Sequence, residues 1–331
     1  MRRILPALLT VVSLLSFVAW LAAQDKVVII DPAEANDDYK FQGEYLGEFK
    51  NDDETSTIGV QVVALGKGKF KFRIHIDGLP GAGWERGGEL TAAEGSRDGK
   101  VVNITTEDGE SFSCRLTDGV MVVFAGDMLK GKLKKMERKS PTLGAKPPAN
   151  AIVLFDGTEK SAKNFTRGEI VMKDLLRHNC ESKEKFGDHH MHLEFRTPFI
   201  PSAMGQARGN SGMYVQGRYE VQILDSFGLD GLNNECGGVY SIAQPKVNMC
   251  LPPLVWQTYD YDFTAARYND AGEKVKNARI TLKHNGVVIH DDLELVNGTP
   301  GKHPEGPGPE VLYLQGHGNP VVFRNIWAVK K

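Results

Sequence analysis

Three short runs, 101–107, 111–116 and the wholly apolar 120–125, are rich in strand-forming residues, with apolar and polar positions alternating through 111–116, and are separated by Asp108-Gly109 and Asp118-Gly119. A period of two predicts strands, and Asp-Gly predicts tight reversals, so the three runs predict a meander. Upstream, 59–65 and 69–76 flank Gly66-Lys67-Gly68 and predict another hairpin, which ends at Asp77-Gly78-Leu79-Pro80. No stretch from 41 to 138 holds a helical period for more than about two turns. Residues 40–138 are therefore expected to form a small all-β domain.

The same period returns after a break. Residues 130–150 carry a basic run and then Pro, Ser, Gly and Lys, with Pro147-Pro148 stiffening the exit, which is linker composition and places the linker at 139–150. From 151 to 331, Met191, Leu193 and Phe195 alternate with His190, His192, Glu194 and Arg196, and Val221 and Ile223 alternate with Glu220 and Gln222. Asn285-Gly286 between 278–283 and 287–290 suits a type I′ turn, and 311–315 and 321–327 read as two closing strands. Many short strands with few helical segments predict a two-sheet sandwich of jelly-roll type. The Gly/Pro-rich stretch 296–309 is expected to be an irregular excursion at its rim.

Composition narrows the function classes. Lys and Arg number 40 against 42 Asp and Glu, a net of −2, which gives no electrostatic footprint for nucleic acid. Arg2 and Arg3 precede an apolar stretch over 4–23 that ends in small residues before Gln24-Asp25, the pattern of a signal peptide over 1–23. A stretch of about 20 apolar residues is also the length of an uncleaved anchor. The chain is expected to be exported, periplasmic or extracellular, with no stable membrane partner. Cys114, Cys180, Cys236 and Cys250 show no C-x-x-C spacing, so a structural zinc site is not expected. One disulfide among the last three suits an oxidising compartment; buried free thiols are the expectation.

In a sandwich each strand sends alternate side chains away from the core. His190, His192, Glu194 and Arg196 then share one outward face, Glu220 and Gln222 a second, and Tyr313, Gln315 and His317 a third, with Arg324 on the last strand. If these strands are neighbours, their faces merge into one carbohydrate-type surface. Taken singly, such residues are commonly cross-strand ion pairs. His190 and His192 are the pair that can chelate a metal together, because adjacent strand residues point to opposite faces; a divalent metal is allowed but no cofactor is required. Gly209-Asn210-Ser211-Gly212 interrupts a strand either as a bulge or where backbone closely approaches a ligand. No phosphate loop, G-x-S-x-G, H-E-x-x-H or dinucleotide fingerprint is present, which disfavours nucleotide enzymes, serine hydrolases and zincins.

Taken in order, IVLFDG at 152–157, FGDHHMHLEFRTP at 186–198, RGNSGMYVQGRYEVQILDS at 208–226, CGGVY at 236–240, WQTYD at 256–260, LKHNGVVIHD at 282–291 and LQGHGNPVVFRNIW at 314–327 closely resemble the 3-keto-disaccharide hydrolase domain family. The resemblance covers about 150–330. It implies a concanavalin-like jelly roll with a sugar site on its concave sheet, and the region before it looks like a companion β domain of no assigned function. It also implies hydrolysis of glycosides oxidised to a 3-ketone, in which the carbonyl acidifies the C2 proton, a base removes it, the aglycone leaves C1 and water adds back. Such a site needs a base, an oxyanion donor and an acid. Glu194 and Glu220 are the carboxylate candidates, His192 and His317 the imidazoles, and Arg208 and Arg324 the clamps. Asn210, Gln222, Asp225, Tyr240 and Gln315 complete the expected sugar-binding set. The alternatives are a lectin-like binding module and a two-carboxylate glycosidase, which needs Glu194 and Glu220 placed across a glycosidic bond. The active surface is expected to lie wholly within 151–331, so the fragment 150–331, expressed without residues 24–140, is expected to keep activity.

Overall fold

A computed structural model of the chain describes residues 27–51, 54–106, 111–117 and 119–331. The expected signal segment, the Asp108-Gly109 turn and Asp118 lie outside the described residues. Eight strands, β1 (Gly43–Asn51), β2 (Glu54–Gly66), β3 (Lys69–Ile76), β4 (Leu90–Asp98), β5 (Val101–Thr106), β6 (Ser111–Thr117), β7 (Val120–Ala125) and β8 (Met128–Met136), pair antiparallel in chain order. β8 returns to pair with β1, which closes a barrel. Closure removes the sheet edges that an open meander would expose. Inward positions of the period-two pattern, among them Tyr45, Val60, Val62, Phe70, Phe72, Val102, Ile104, Cys114, Met121 and Leu133, fill its interior.

The second half is a sandwich of two antiparallel sheets. The larger, eight-stranded sheet is built from β9 (Ile152–Phe155), β11 (Ile170–Val171), β12 (Leu175–Arg177), β14 (His189–Arg196), β17 (Gln257–Thr264), β18 (Ala278–His284), β19 (Val287–Leu295) and β21 (Val322–Lys330). Its order is β11-β12-β21-β14-β17-β18-β19, with β9 also on β21. The smaller sheet runs β10 (Phe165–Thr166), β13 (Cys180–Phe186), β20 (Glu310–Leu314), β15 (Ser211–Val215), β16 (Tyr219–Ile223). Met191, Leu193, Phe195, Tyr261 and Phe323 from one sheet meet Met213, Val215, Val221, Ile223, Leu312 and Leu314 from the other. Each such side chain contributes roughly 1.5–3 kcal/mol by leaving water. The Asn285-Gly286 reversal joins β18 to β19 with φ of 51° and 83°, the left-handed pair a type I′ turn requires. All four cysteines are buried and free.

The stretch 139–150 is not a loose spacer. Residues 140–145 lie along the outer face of the larger sheet: Ser140 Oγ is 2.6 Å from Thr258 Oγ1, and Thr142 Oγ1 donates to Asp260 Oδ2 at 2.6 Å. Gly144 N donates to Glu194 Oε1 at 2.5 Å, and Ala145 O accepts from Asn325 Nδ2 at 3.0 Å. The two halves also interlock. Val63, on the outside of barrel strand β2, belongs to the sandwich core, while Phe199 and Leu254 of the second half belong to the barrel core.

Candidate active site

The polar faces predicted to merge are divided between the two sheets. His192, Glu194 and Arg324 stand on the outer face of the larger sheet, while Glu220, Gln222 and Tyr313 stand on the smaller one. Alternation is as expected within each strand, since Met191, Leu193 and Phe195 face the core. The expectation of one surface is corrected, because the sandwich core lies between the two sets.

The larger sheet's set is sealed rather than open. His192 and Glu194 are fully buried beneath residues 140–145. His192 Nδ1 contacts Asp260 Oδ1 at 2.6 Å, its Nε2 lies 3.3 Å from Asn325 Nδ2, and Trp327 stacks on its ring at 5.1 Å. Burial alone would lower the His192 pKa, but the Asp260 and Glu194 hydrogen bonds outweigh it and hold it above the usual value. With both nitrogens engaged, His192 is not free to share an ion with His190, whose Nδ1 sits 3.6 Å from Asp262. Burial likewise opposes ionisation of Glu194, yet His192, Asn325, the Gly144 amide and Arg324 pull its pKa down to about 2. Arg324 Nε donates to Glu194 Oε2 at 2.6 Å and its guanidinium lies 4.0 Å from the centre of the Trp256 ring. A carboxylate held this firmly in its charged form is a poor proton carrier at neutral pH. This cluster fastens the 140–145 segment to the sheet.

Arg208 and Asp225 are also removed from the sugar face. They form a buried pair, Nε to Oδ2 at 2.6 Å, and Arg208 Nη1 donates to Ala64 O of the barrel at 3.3 Å. Burial raises the Asp225 pKa even against Arg208. Asn210 is tied to Gln206 by its amide nitrogen and accepts from Gln222 Nε2 at 3.0 Å. His317 is exposed in the loop after β20, with its carbonyl accepting from Asn319.

What remains is a line across the smaller sheet. Glu181 pairs with Tyr313, Tyr313 with Tyr214, and Tyr214 with Glu220. The segment around Val239 bridges Val221, with Tyr240 N donating to Glu220 O at 3.0 Å, so Tyr240 extends the line past the edge strand. Two carboxylates and three tyrosines thus stand in a row. Gln315 flanks it, donating from Nε2 to the Tyr214 hydroxyl at 3.0 Å, while its Oε1 is buried without a partner. Tyr214 and Tyr313 rings are 5.4 Å apart. Tyr214 was not among the predicted residues, although its position between Met213 and Val215 puts it on the Glu220 side of the strand by simple alternation.

Glu220 differs from every other carboxylate described above. It is 4% exposed and carries no cation, and burial raises its pKa to about 7, against a small lowering by the Tyr214 hydroxyl beside it. It sits directly over Gly212: a Cβ built there would fall 2.5 Å from Glu220 Oε1, so only glycine leaves the carboxyl its seat. Its backbone amide donates to Thr299 Oγ1 at 2.8 Å, and Tyr214 OH donates to Pro300 O at 3.3 Å. The Gly/Pro-rich excursion therefore forms the wall beside the carboxyl. Arg218 anchors that wall through Pro304 O and Gly308 O, at 3.1 and 3.2 Å. A carboxyl poised near neutrality among hydroxyl and amide groups can accept or donate a proton to a bound sugar.

Comparison with known proteins agrees with the fold. Residues 150–329 match the family described as the 3-keto-alpha-glucoside-1,2-lyase-like domain. A crystal structure of a candidate glycosyl hydrolase from Parabacteroides distasonis ATCC 8503 is 30% identical, covering 55% of this chain and 84% of that one at a TM-score of 0.50. A second candidate glycosyl hydrolase from the same organism is 17% identical, covering 55% of this chain and 99% of its own, at a TM-score of 0.38. No curated protein matches the chain.

Proposed function

The chain belongs to the 3-keto-alpha-glucoside-1,2-lyase-like domain family, a glycoside-hydrolase-like group, and on that premise we propose that it cleaves 3-keto-glycosides with Glu220 as the proton-transferring carboxyl. The observation that carries this reading is the near-neutral pKa of Glu220, buried in a row of tyrosines on the sheet's outer face. A base with a pKa near the working pH is both substantially ionised and strong enough to take a carbon-bound proton that a neighbouring ketone has acidified. In this scheme the Glu220 carboxylate takes the C2 proton and negative charge spreads onto the C3 oxygen. The aglycone leaves C1 with its bonding pair and is protonated, and water then adds across C1 and C2.

The chain's own residues supply the rest. The Tyr214 hydroxyl, whose pKa is driven up by burial and by Glu220, stays protonated, and by turning its one proton away from Pro300 O it can hydrogen-bond the developing oxyanion. The unpartnered Gln315 Oε1 is an acceptor for a sugar hydroxyl, and half-exposed Tyr240 and Tyr313 offer ring faces. A two-carboxylate glycosidase fits less well: Glu194 and Glu220, the pair expected for it, stand on opposite sheets with the core between them, which leaves Glu181 as the other carboxylate on the Glu220 face. Glu181 is separated from Glu220 by two strand pairings more than its neighbour, roughly 14 Å at about 4.8 Å per strand. Two tyrosines lie between them, and Lys302 pairs with Glu181. Carboxyl pairs in such enzymes stand about 5–9.5 Å apart.

Export to the periplasm or cell exterior is part of the proposal and rests on the basic-then-apolar start of the sequence. No metal is required by the scheme. The experiment is to incubate purified protein with a 3-keto-glucoside and with its unoxidised parent. Cleavage of the first alone is expected; cleavage of both at equal rates would replace the elimination scheme with ordinary hydrolysis.

A further inference from the structure

The barrel touches the sandwich at the loop that carries Tyr240. Arg86 lies in the barrel's 77–89 excursion, and its guanidinium reaches four backbone carbonyls of the second half. Nη2 donates to Asp230 O and Gly231 O at 2.9 Å each and to Pro245 O at 3.1 Å, and Nε donates to Lys246 O at 3.2 Å. Those carbonyls are the two feet of one irregular loop: 230–231 enter it and 245–246 leave it. Arg73, also from the barrel, pairs with the Asp230 carboxylate at the same foot.

Between the feet, the loop makes the edge contact that places Tyr240. Gly237 N donates to Gln222 O at 3.0 Å, Gln222 N to Gly238 O at 2.8 Å, and Tyr240 N to Glu220 O at 3.0 Å. Glu235 Oε2 accepts from the Gly231 and Leu232 amides, so the entering foot is wired to the turn that leads to this edge. A loop with closed ends and its own internal bonds moves as a unit, and the ordering of its tip depends on its closure.

We propose that the barrel is a positioning unit for the sugar site, with Arg86 as the clasp that closes the 230–246 loop and so holds Tyr240 beside Glu220. The sugar-site part rests on the function proposed above. Arg86 touches no reacting group and acts only through the loop. Its side chain is exposed and fills no core, so its removal leaves the fold intact.

The test uses the full chain with Arg86→Ala, read by amide hydrogen exchange and by steady-state kinetics on a 3-keto-glucoside. Exchange at 237–242 is expected to accelerate by about tenfold or more while β14 and β21 stay protected. KM is expected to rise by about tenfold with kcat changed far less, since Tyr240 binds sugar and does not transfer the proton. Arg86→Lys, which keeps the charge but not the fork, is expected to fall between the two. Unchanged exchange at 237–242 overturns the proposal, and so does faster exchange with unaltered KM. If wild-type protein turns over no 3-keto-glucoside, the function reading fails by itself and the exchange result alone decides whether Arg86 is the clasp.

Discussion

Two glutamates on outward strand positions have opposite characters, and the cause is what covers each. Glu194 accepts from an amide, an arginine and an asparagine and is held to about 2, whereas Glu220 is buried without a cation and rises to about 7. Both values bear on stability. For Glu220 the folded pKa lies above the unfolded value near 4.5, so the folded state holds the proton longer and stability falls as pH rises from about 4.5 through 7. Glu220→Gln is therefore expected to raise Tm at pH 8, by on the order of 2–3 kcal/mol in stability, and to have little effect near pH 4. The same change is expected to lower kcat/KM by about 10²-fold or more, and wild-type kcat/KM is expected to rise with pH through about 7 as the base ionises. A thermal melt series at both pH values checks the first expectation and a pH–rate profile the second. Glu194 has the reverse sign: its stabilisation is full above about 4.5 and is lost as pH falls toward 2. Glu194→Ala leaves the half-exposed Arg324 without its acid and buried His192 with Asp260 alone, and unties the Gly144 amide, so it is expected to cost about 1–3 kcal/mol in a denaturant melt, while folded protein keeps its turnover.

At the scale of elements, alternation along a strand says which side of the strand a residue takes but not which of two sheets the strand joins. The Met191, Leu193, Phe195 set and the Val221, Ile223 set are equally legible as core-facing, and the meander and the Asn285-Gly286 hairpin are equally legible as turns between strands. The assignment of β14 and β16 to opposite sheets depends on long-range pairing, β14 with β17 and β21, β16 with β15, which leaves no local mark. The covering of His192 and Glu194 was hidden for another reason: residues 140–145 have linker composition, and their bonds to Thr258, Asp260 and Glu194 come from backbone and hydroxyl groups that composition does not reveal. Tyr214 and Gly212, by contrast, were within reach of the period-two rule. Gly212→Ala tests the element directly. The added methyl would meet the Glu220 carboxyl, so kcat/KM is expected to fall by about tenfold or more, with far-UV CD unchanged.

Taken as a whole molecule, the two halves are not beads on a string. Ile29 and Phe199 exchange backbone hydrogen bonds at 3.0 and 2.8 Å, Arg208 reaches Ala64 O, and Arg86 grips both feet of the 230–246 loop. Val63 and Phe199 each sit in the core of the opposite half. The simple expectation that 150–331 keeps activity alone is therefore revised: a fragment beginning at 150 lacks the 140–145 cover and exposes the Val63 seat, and is expected to melt well below the full chain and to lose activity. Limited proteolysis with kinetics on the same fragment reads both effects. The central claim, that Glu220 on the smaller sheet carries the chemistry on a 3-keto sugar, is tested most directly by following C2 proton exchange. Wild-type protein in deuterated water with a 3-keto-glucoside is expected to place deuterium at C2 of the released sugar, and Glu220→Gln is expected to abolish this while remaining folded. Cleavage by wild type with no deuterium at C2, or unimpaired exchange in the variant, would contradict the account.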